Sequence, residues 1–188
     1  MARRDGCTPL PEPPESPGER YPRARLDLAQ YEHSTRTGPC FVCQVVAGTH
    51  PEPHYIVHRD EEHVAFLDRF PTLYGYLLVS PVEHREGLVE DLTEAEYLRL
   101  QSLVYRLGRA VSAIVPTERL YVLSLGSKQG NAHLHWHLAP LPPGVPYGEQ
   151  QYEALRTETK GYLLIDPEDQ AELARKIAAA LSGPATPP

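Results

Sequence analysis

Three things are scarce in this chain, and each scarcity narrows what it can be. There are three cysteines in 188 residues. That odd count, in a chain this long with no signal-like start, argues against a disulfide framework. No apolar run is long enough to span a bilayer, so no membrane partner is expected. Basic clusters are missing and the formal net charge is −7, which argues against nucleic acid as the main partner. A small anionic ligand is not excluded, because it feels local donors more than net charge. Met1-Ala2-Arg3-Arg4-Asp5 is followed by prolines and acids rather than an apolar signal region, so a cytoplasmic location is expected. No internal repeat is visible.

What is present suits one domain with a core and two tails: 188 residues, of which 41% are hydrophobic. Residues 1–39 are expected to be a proline-rich tail, partly disordered, because Pro9, Pro11, Pro13, Pro14 and Pro17 with intervening acids suit neither helix nor sheet interior. Cys7 lies in it as an idle thiol, and the stretch from Leu26 to Tyr31 could form a short helix that packs on the body. Residues 40–142 form the domain proper, and residues 143–188 a helical extension.

Within the domain, three strands are expected near residues 54–58, 63–68 and 76–80, with turns short enough to make them antiparallel neighbours. Thr93 and Glu96 form a capping box. The helix behind it should run to about Ile114, with Leu100, Leu103, Val104, Leu107, Val111 and Ile114 as its apolar stripe, and stop before Pro116. A strand from Arg119 to Leu125 follows. In the extension, a short helix from about Glu149 precedes a longer one with Asp166 at its cap and Pro167 at its first position. The pattern is α+β: an antiparallel sheet with helices packed on one side.

The stretch that stands out is His133-Leu134-His135-Trp136-His137-Leu138-Ala139. Its alternation is the period of a strand. His133, His135 and His137 then share one exposed face at roughly 7 Å per pair of residues. Leu134, Trp136 and Leu138 face a core. Each imidazole can act as nucleophile, proton carrier or metal ligand near neutral pH. The loop ahead of it, Gly126 to Asn131, is small, polar and glycine-containing, and such backbone can approach a phosphate. Cys40-Phe41-Val42-Cys43 is a Cys-x-x-Cys pair that could grip a soft cation, form a redox dithiol, or do neither.

The triad matches, at every position, the His-φ-His-φ-His-φ-φ signature in which φ is apolar. It resembles the histidine-triad family of nucleotide-binding hydrolases and transferases. Ala65-Phe66-Leu67-Asp68, with Gly75 through His84, resembles the family's second signature. The resemblance covers roughly residues 40–142. It implies that Phe66 lines a base pocket and that Asp68 accepts from the ribose hydroxyls. His135 would attack the α-phosphate to form a nucleotidyl-histidine, and His137 would contact the phosphate or leaving group and help move the proton. Many members end the preceding loop in Gly-Gln-Ser or Gly-Gln-Thr, whereas this chain has Gln129-Gly130-Asn131; Gln129 and Asn131 are the candidate phosphate contacts. In the zinc-bearing branch, which includes galactose-1-phosphate uridylyltransferase, the first histidine of the triad is a zinc ligand. The resemblance therefore implies a structural Zn2+ on Cys40, Cys43, His84 and His133, and a homodimer with a joined sheet. That transferase branch carries Gln where this chain has His137. The expected activity is hydrolysis at the α-phosphate of purine dinucleoside polyphosphates or nucleoside phosphoramidates. The rivals are a phosphorylase or nucleotidyltransferase of the same family, a zinc-stabilised nucleotide-binding module without turnover, and a metallohydrolase in which His133 and His135 hold a catalytic metal.

Overall fold

Hydrophobic patterning divides the chain between one sheet and the helices that cover it. The computed structural model describes residues 17–128, 130–155 and 157–183. A 3-10 turn, Pro17–Arg20, leads into β1 (Arg23–Ala24), α1 (Leu28–Thr37) and α2 (Phe41–Ala47). Then come β2 (Ile56–Arg59), β3 (His63–Leu67), β4 (Leu77–Pro81), α3 (Glu94–Ile114), β5 (Arg119–Leu123) and β6 (Trp136–Leu141). Two short helices, α4 (Gln150–Glu153) and α5 (Thr157–Lys160), precede β7 (Tyr162–Leu163) and α6 (Pro167–Ser182).

Five strands form one antiparallel sheet in the order β2-β3-β4-β6-β5. The two long helices, α3 and α6, pack on one side of it, as the α+β pattern implied. All five residues of β3 and all five of β4 are buried, so the opposite face is covered too. Val42 and Val45 of α2 pack there against Val64, Phe66 and Leu78. A strand buried on both faces reads as a continuous apolar run, which is what Leu77-Leu78-Val79 is.

The capping box forms. Thr93 Oγ1 accepts from Glu96 N at 3.3 Å and Glu96 Oε2 accepts from Thr93 N at 2.7 Å. Leu100, Leu103, Val104, Leu107 and Val111 are buried, whereas Ile114, in the last turn, is 37% exposed and leaves the expected stripe. Asp166 sits at the cap position of α6, but its side chain makes no capping bond.

The ends are where structure and sequence reading differ most. Cys7 and the other residues before 17 lie outside the described residues. Residues 17–39, read as part of a tail, pack on the body. The early helix starts later and runs further than expected, because Asp27 accepts from Gln30 N at 3.0 Å and starts it at Leu28. Ahead of it β1 pairs antiparallel with β7. A side chain at Gly161 would put its Cβ 2.0 Å from Ala24 O, so only glycine allows that approach. Tyr21 stacks on Tyr74 with ring centroids 5.7 Å apart. At the other end, Leu173, Ala174 and Ile177 of α6 join the same buried cluster as α3 and the sheet. Two-residue strands carry no periodicity, so nothing in the residue order signals that the two ends meet.

Ile177 is fully buried. Ile177→Ala is therefore expected to cost about 2–5 kcal/mol in urea unfolding. A loss below about 0.5 kcal/mol, the size of an ordinary surface substitution, would mean that α6 is an appendage rather than part of the core.

Candidate active site

The triad begins where the sheet's ladder ends. Val79 of β4 pairs with Trp136, and the β4–β6 ladder goes no further, although β4 runs on to Pro81 in pairing with β3. Hence β6 starts at Trp136 rather than His133. Two hydroxyls and one main-chain carbonyl hold Leu134 and His135 instead. Ser80 Oγ donates to Leu134 O at 2.7 Å, Ser124 Oγ donates to His135 O at 2.9 Å, and Leu134 N donates to Arg85 O at 2.7 Å. The alternation survives: Leu134, Trp136 and Leu138 lie in the core under α3 and α6, and the histidines point the other way. That face is not exposed, contrary to the sequence expectation. His133 is 0% and His135 4% accessible, and α1, α2 and the segment around Ala154 wall the cleft above them.

Each histidine is tied at one nitrogen. His135 Nδ1 lies 2.6 Å from His133 O, so it carries the proton and leaves Nε2 bare. His133 Nε2 lies 3.0 Å from Pro81 O and donates to it, leaving Nδ1 bare. His137 Nδ1 is 3.2 Å from the Tyr76 hydroxyl, which also reaches Ala154 O at 3.4 Å. The Nε2 of His137 is buried without a hydrogen-bond partner among the described residues, the signature of an atom placed for a ligand. Burial lowers the pKa of His135, and burial followed by the charge of His135 pushes His137 down to about 3. Both rings are neutral at physiological pH, which suits a nucleophile and a proton carrier.

The bare Nδ1 of His133 faces the cysteine pair. Cys40 Sγ caps α2 by accepting from Cys43 N at 3.5 Å, which puts both sulfurs on one side of its first turn. His133 Nδ1 lies 3.5 Å from Cys40 Sγ and 3.7 Å from Cys43 Sγ, and His84 Nδ1 lies 3.3 Å from Cys43 Sγ. The four ligand atoms lie within 4.8 Å of one another. Bond lengths of 2.0–2.3 Å in a tetrahedron place ligand atoms roughly 3.3–3.8 Å apart, and these contacts fall there. His84 Nε2 lies 3.2 Å from Glu86 Oε1, so both imidazoles are oriented through their second nitrogens in the manner of metal-ligating histidines. Burial and Cys40 push the Cys43 thiol up to about 11, and a bound cation reverses that penalty. The set fits a metal. It leaves no nitrogen of His133 to share with His135, so a catalytic ion held jointly by those two is not what the geometry offers.

The triad opens on a cleft of about 1220 Å³. Phe66 and Asp68 line it where the sequence placed them, with Phe41 edge-on to Phe66 at 6.4 Å between centroids and His54 at 5.5 Å. Burial pushes the Asp68 carboxyl up to about 6, although the backbone N–H of Phe70, 3.1 Å away, opposes the rise. Asn131 lies at the cleft with a left-handed backbone, φ 53°, and its Nδ2 donates to the Tyr31 hydroxyl at 2.6 Å. Gln129 lies outside the described residues. Phe41, His54, Tyr76 and Tyr31 were not singled out from sequence. Tyr76 was hidden inside an apolar run, and Tyr31 in a helix with no buried residue to mark its face.

Metal holding has a direct readout. Protein given one equivalent of Co2+ under reducing conditions should develop a thiolate-to-cobalt absorption band with tetrahedral ligand-field bands. Cys43→Ser should weaken both. A spectrum of octahedral aqueous cobalt alone would exclude the four-ligand set.

Comparison with known proteins agrees with this geometry. An uncharacterized HIT-like protein of Saccharolobus solfataricus is 32% identical over 104 residues, which span 54% of this chain and 73% of that one. The protein hit of Bacillus subtilis is 29% identical over 144 residues, 76% of this chain and 94% of its own. Among solved structures, a hypothetical histidine triad nucleotide-binding protein from Sulfolobus tokodaii shares the fold, with a TM-score of 0.60 at 23% identity over 76% of this chain and 91% of that one. So does a Zn-bound histidine triad family protein from Mycobacterium smegmatis, with a TM-score of 0.58 at 24% identity over 76% and 93%. Residues 50–143, half of the chain and the part that carries the sheet and the triad, match the HIT domain model, and the chain belongs to the HIT family.

Proposed function

We propose that the protein is a nucleotide hydrolase that cleaves at the α-phosphate of purine dinucleoside polyphosphates or nucleoside phosphoramidates. The observation that carries this reading is the bare, tautomer-fixed Nε2 of His135 at a cleft that also presents Phe66 and Asp68. In the first step, Nε2 attacks the α-phosphorus and the bond to the leaving oxygen or nitrogen breaks. A leaving phosphate departs with the electron pair as its anion; a leaving amine also takes a proton, which His137, itself neutral, relays to it from solvent. The proton stays on Nδ1 of His135, which donates it in a hydrogen bond to the His133 carbonyl, so the developing positive charge on the ring is stabilised. Water then attacks phosphorus, passes its proton to His137, and the N–P bond breaks to release the nucleoside monophosphate. Asp68 accepts from the ribose hydroxyls, Phe66 packs on the base, and Asn131 and Gln129 serve the phosphate. The Zn-bound relative supports zinc as the ion for Cys40, Cys43, His84 and His133. Bound there, zinc would supply structure, fixing the triad to the Cys40–Cys43 turn.

His137 also decides between acceptors. A histidine can take and return a proton, so water rather than phosphate is the expected acceptor. Turnover of a diadenosine polyphosphate in heavy-oxygen water should put label into adenosine monophosphate whether or not millimolar phosphate is present. His135→Ala should reduce that turnover by several orders of magnitude. Unlabelled adenosine diphosphate formed only with phosphate would make the enzyme a phosphorylase. A His135→Ala variant keeping a tenth of the activity would end covalent catalysis through that residue.

A homodimer would use β5, an open sheet edge, and α3 beside it. Leu98 and Tyr105 of α3 are 57% and 66% exposed, and Val122 of β5 is 44% exposed. Two copies joined there would form a continuous pair, which sedimentation equilibrium at micromolar concentration should resolve; a monomer at all concentrations would exclude it.

A further inference from the structure

The cleft has a second aromatic wall that the reaction above does not use. Tyr31 of α1, Phe70 after β3 and Tyr162 of β7 all line it, each half-buried. Tyr31 and Phe70 meet edge-on at 5.9 Å between centroids, and Phe70 and Tyr162 at 4.9 Å. The Arg69 guanidinium lies 5.0 Å over the Phe70 ring. Two of the three aromatics come from outside residues 50–143, the part that matches the family. The wall starts beside Asp68, whose Oδ1 accepts from Phe70 N. It ends at the loop before the triad, where Asn131 donates to the Tyr31 hydroxyl. There Gly130 approaches α1 so closely that a Cβ would sit 2.9 Å from Thr35 Oγ1. The wall's ring contacts run among its three aromatics, whereas Phe41 and His54 meet Phe66 elsewhere in the same cleft. The cleft, at about 1220 Å³, is also larger than the roughly 300–1,000 Å³ usual for a single small ligand.

We infer that Tyr31, Phe70 and Tyr162 form a subsite for an aromatic group carried on the leaving side of the substrate. It rests on the hydrolase reading, which places the first nucleoside at Phe66 and Asp68. The chain's terminal segments have thus added a leaving-group selector to the HIT domain. Aromatic side chains suit such a subsite because they are large, lose little conformational freedom, and reward a second ring by edge or stacked contact. Two sources share this chemistry, an arylalkyl amine on a phosphoramidate and a second nucleobase on a polyphosphate.

The test uses full-length protein carrying His135→Ala, which binds without turnover, and calorimetry. Adenosine 5′-N-(2-phenylethyl)phosphoramidate should bind about tenfold tighter than the N-ethyl compound, the order expected for one stacked ring. Phe70→Leu and, separately, Tyr162→Leu keep apolar bulk without the π face; either should cut the gain to within about twofold. Thermal unfolding of each variant checks that it is folded, and the second stands in if the first is not. Diadenosine tetraphosphate against adenosine triphosphate is the parallel arm, and a gain in one arm alone identifies the source. Equal affinities in both arms, or a gain that survives both substitutions, overturns the subsite. If adenosine monophosphate itself fails to bind, the hydrolase reading falls and the subsite with it. If it binds and no ring improves affinity, only the subsite falls.

Discussion

The site depends on a simple constraint: each imidazole of the triad is held at one nitrogen so that the other is committed. His133 O accepts a hydrogen bond from the Nδ1–H of His135, and Pro81 O accepts one from the Nε2–H of His133. An imidazole with both nitrogens unheld exchanges tautomers, and much of the time presents the wrong one. Because the acceptors here are main-chain carbonyls, the chemistry is written into the backbone path of residues 133–135. That path lies beyond the ladder, where Ser80 and Ser124 supply the bonds that a neighbouring strand would otherwise give. A hydroxyl can reach a carbonyl without imposing a pleat, so the segment can turn one ring toward the cysteines and the next toward the cleft.

Burial follows from the same arrangement. A metal-capable set formed by Cys40, Cys43, His84 and His133 pins the start of α2 against the first triad histidine. Placing α2 there covers the sheet face that would otherwise be open, and α1 and β7 complete the walls. Low accessibility keeps His135 and His137 neutral. The terminal segments, outside the part of the chain that matches the HIT domain, are thus structurally continuous with the site.

Much of this was legible from residue order. Alternation in 133–139 gave the face of each histidine, and the Thr93–Glu96 box gave the start of α3. The spacing of Cys40 and Cys43 gave a metal option, although only the family resemblance joined it to His84 and His133, 41 and 90 residues beyond Cys43. Other features were not legible, for physical reasons. Periodicity tells which side chains share a face but not what covers that face, so the triad read as exposed. Two-residue strands such as β1 and β7 leave no period, and their pairing depends on the absence of a Cβ at Gly161. The tie between Asn131 and Tyr31 joins residues 100 positions apart through one side-chain bond, and nothing local marks it. The start of β6 at Trp136 follows from where its pairing with β4 and β5 ends, and that depends on neighbours far away in sequence.

Everything proposed for the chemistry turns on the bare Nε2 of His135 becoming bonded to phosphorus. The direct measurement is acid- and base-quenched single turnover on the millisecond scale, followed by mass spectrometry of the intact chain and its peptides. A nucleotidyl adduct should appear on the peptide containing His135, stable to base and lost in acid as a phosphoramidate is, rising and decaying at rates that match product release. Product formation with no adduct at any time, in a protein whose turnover is confirmed in the same samples, would contradict covalent catalysis and leave direct attack by water as the mechanism.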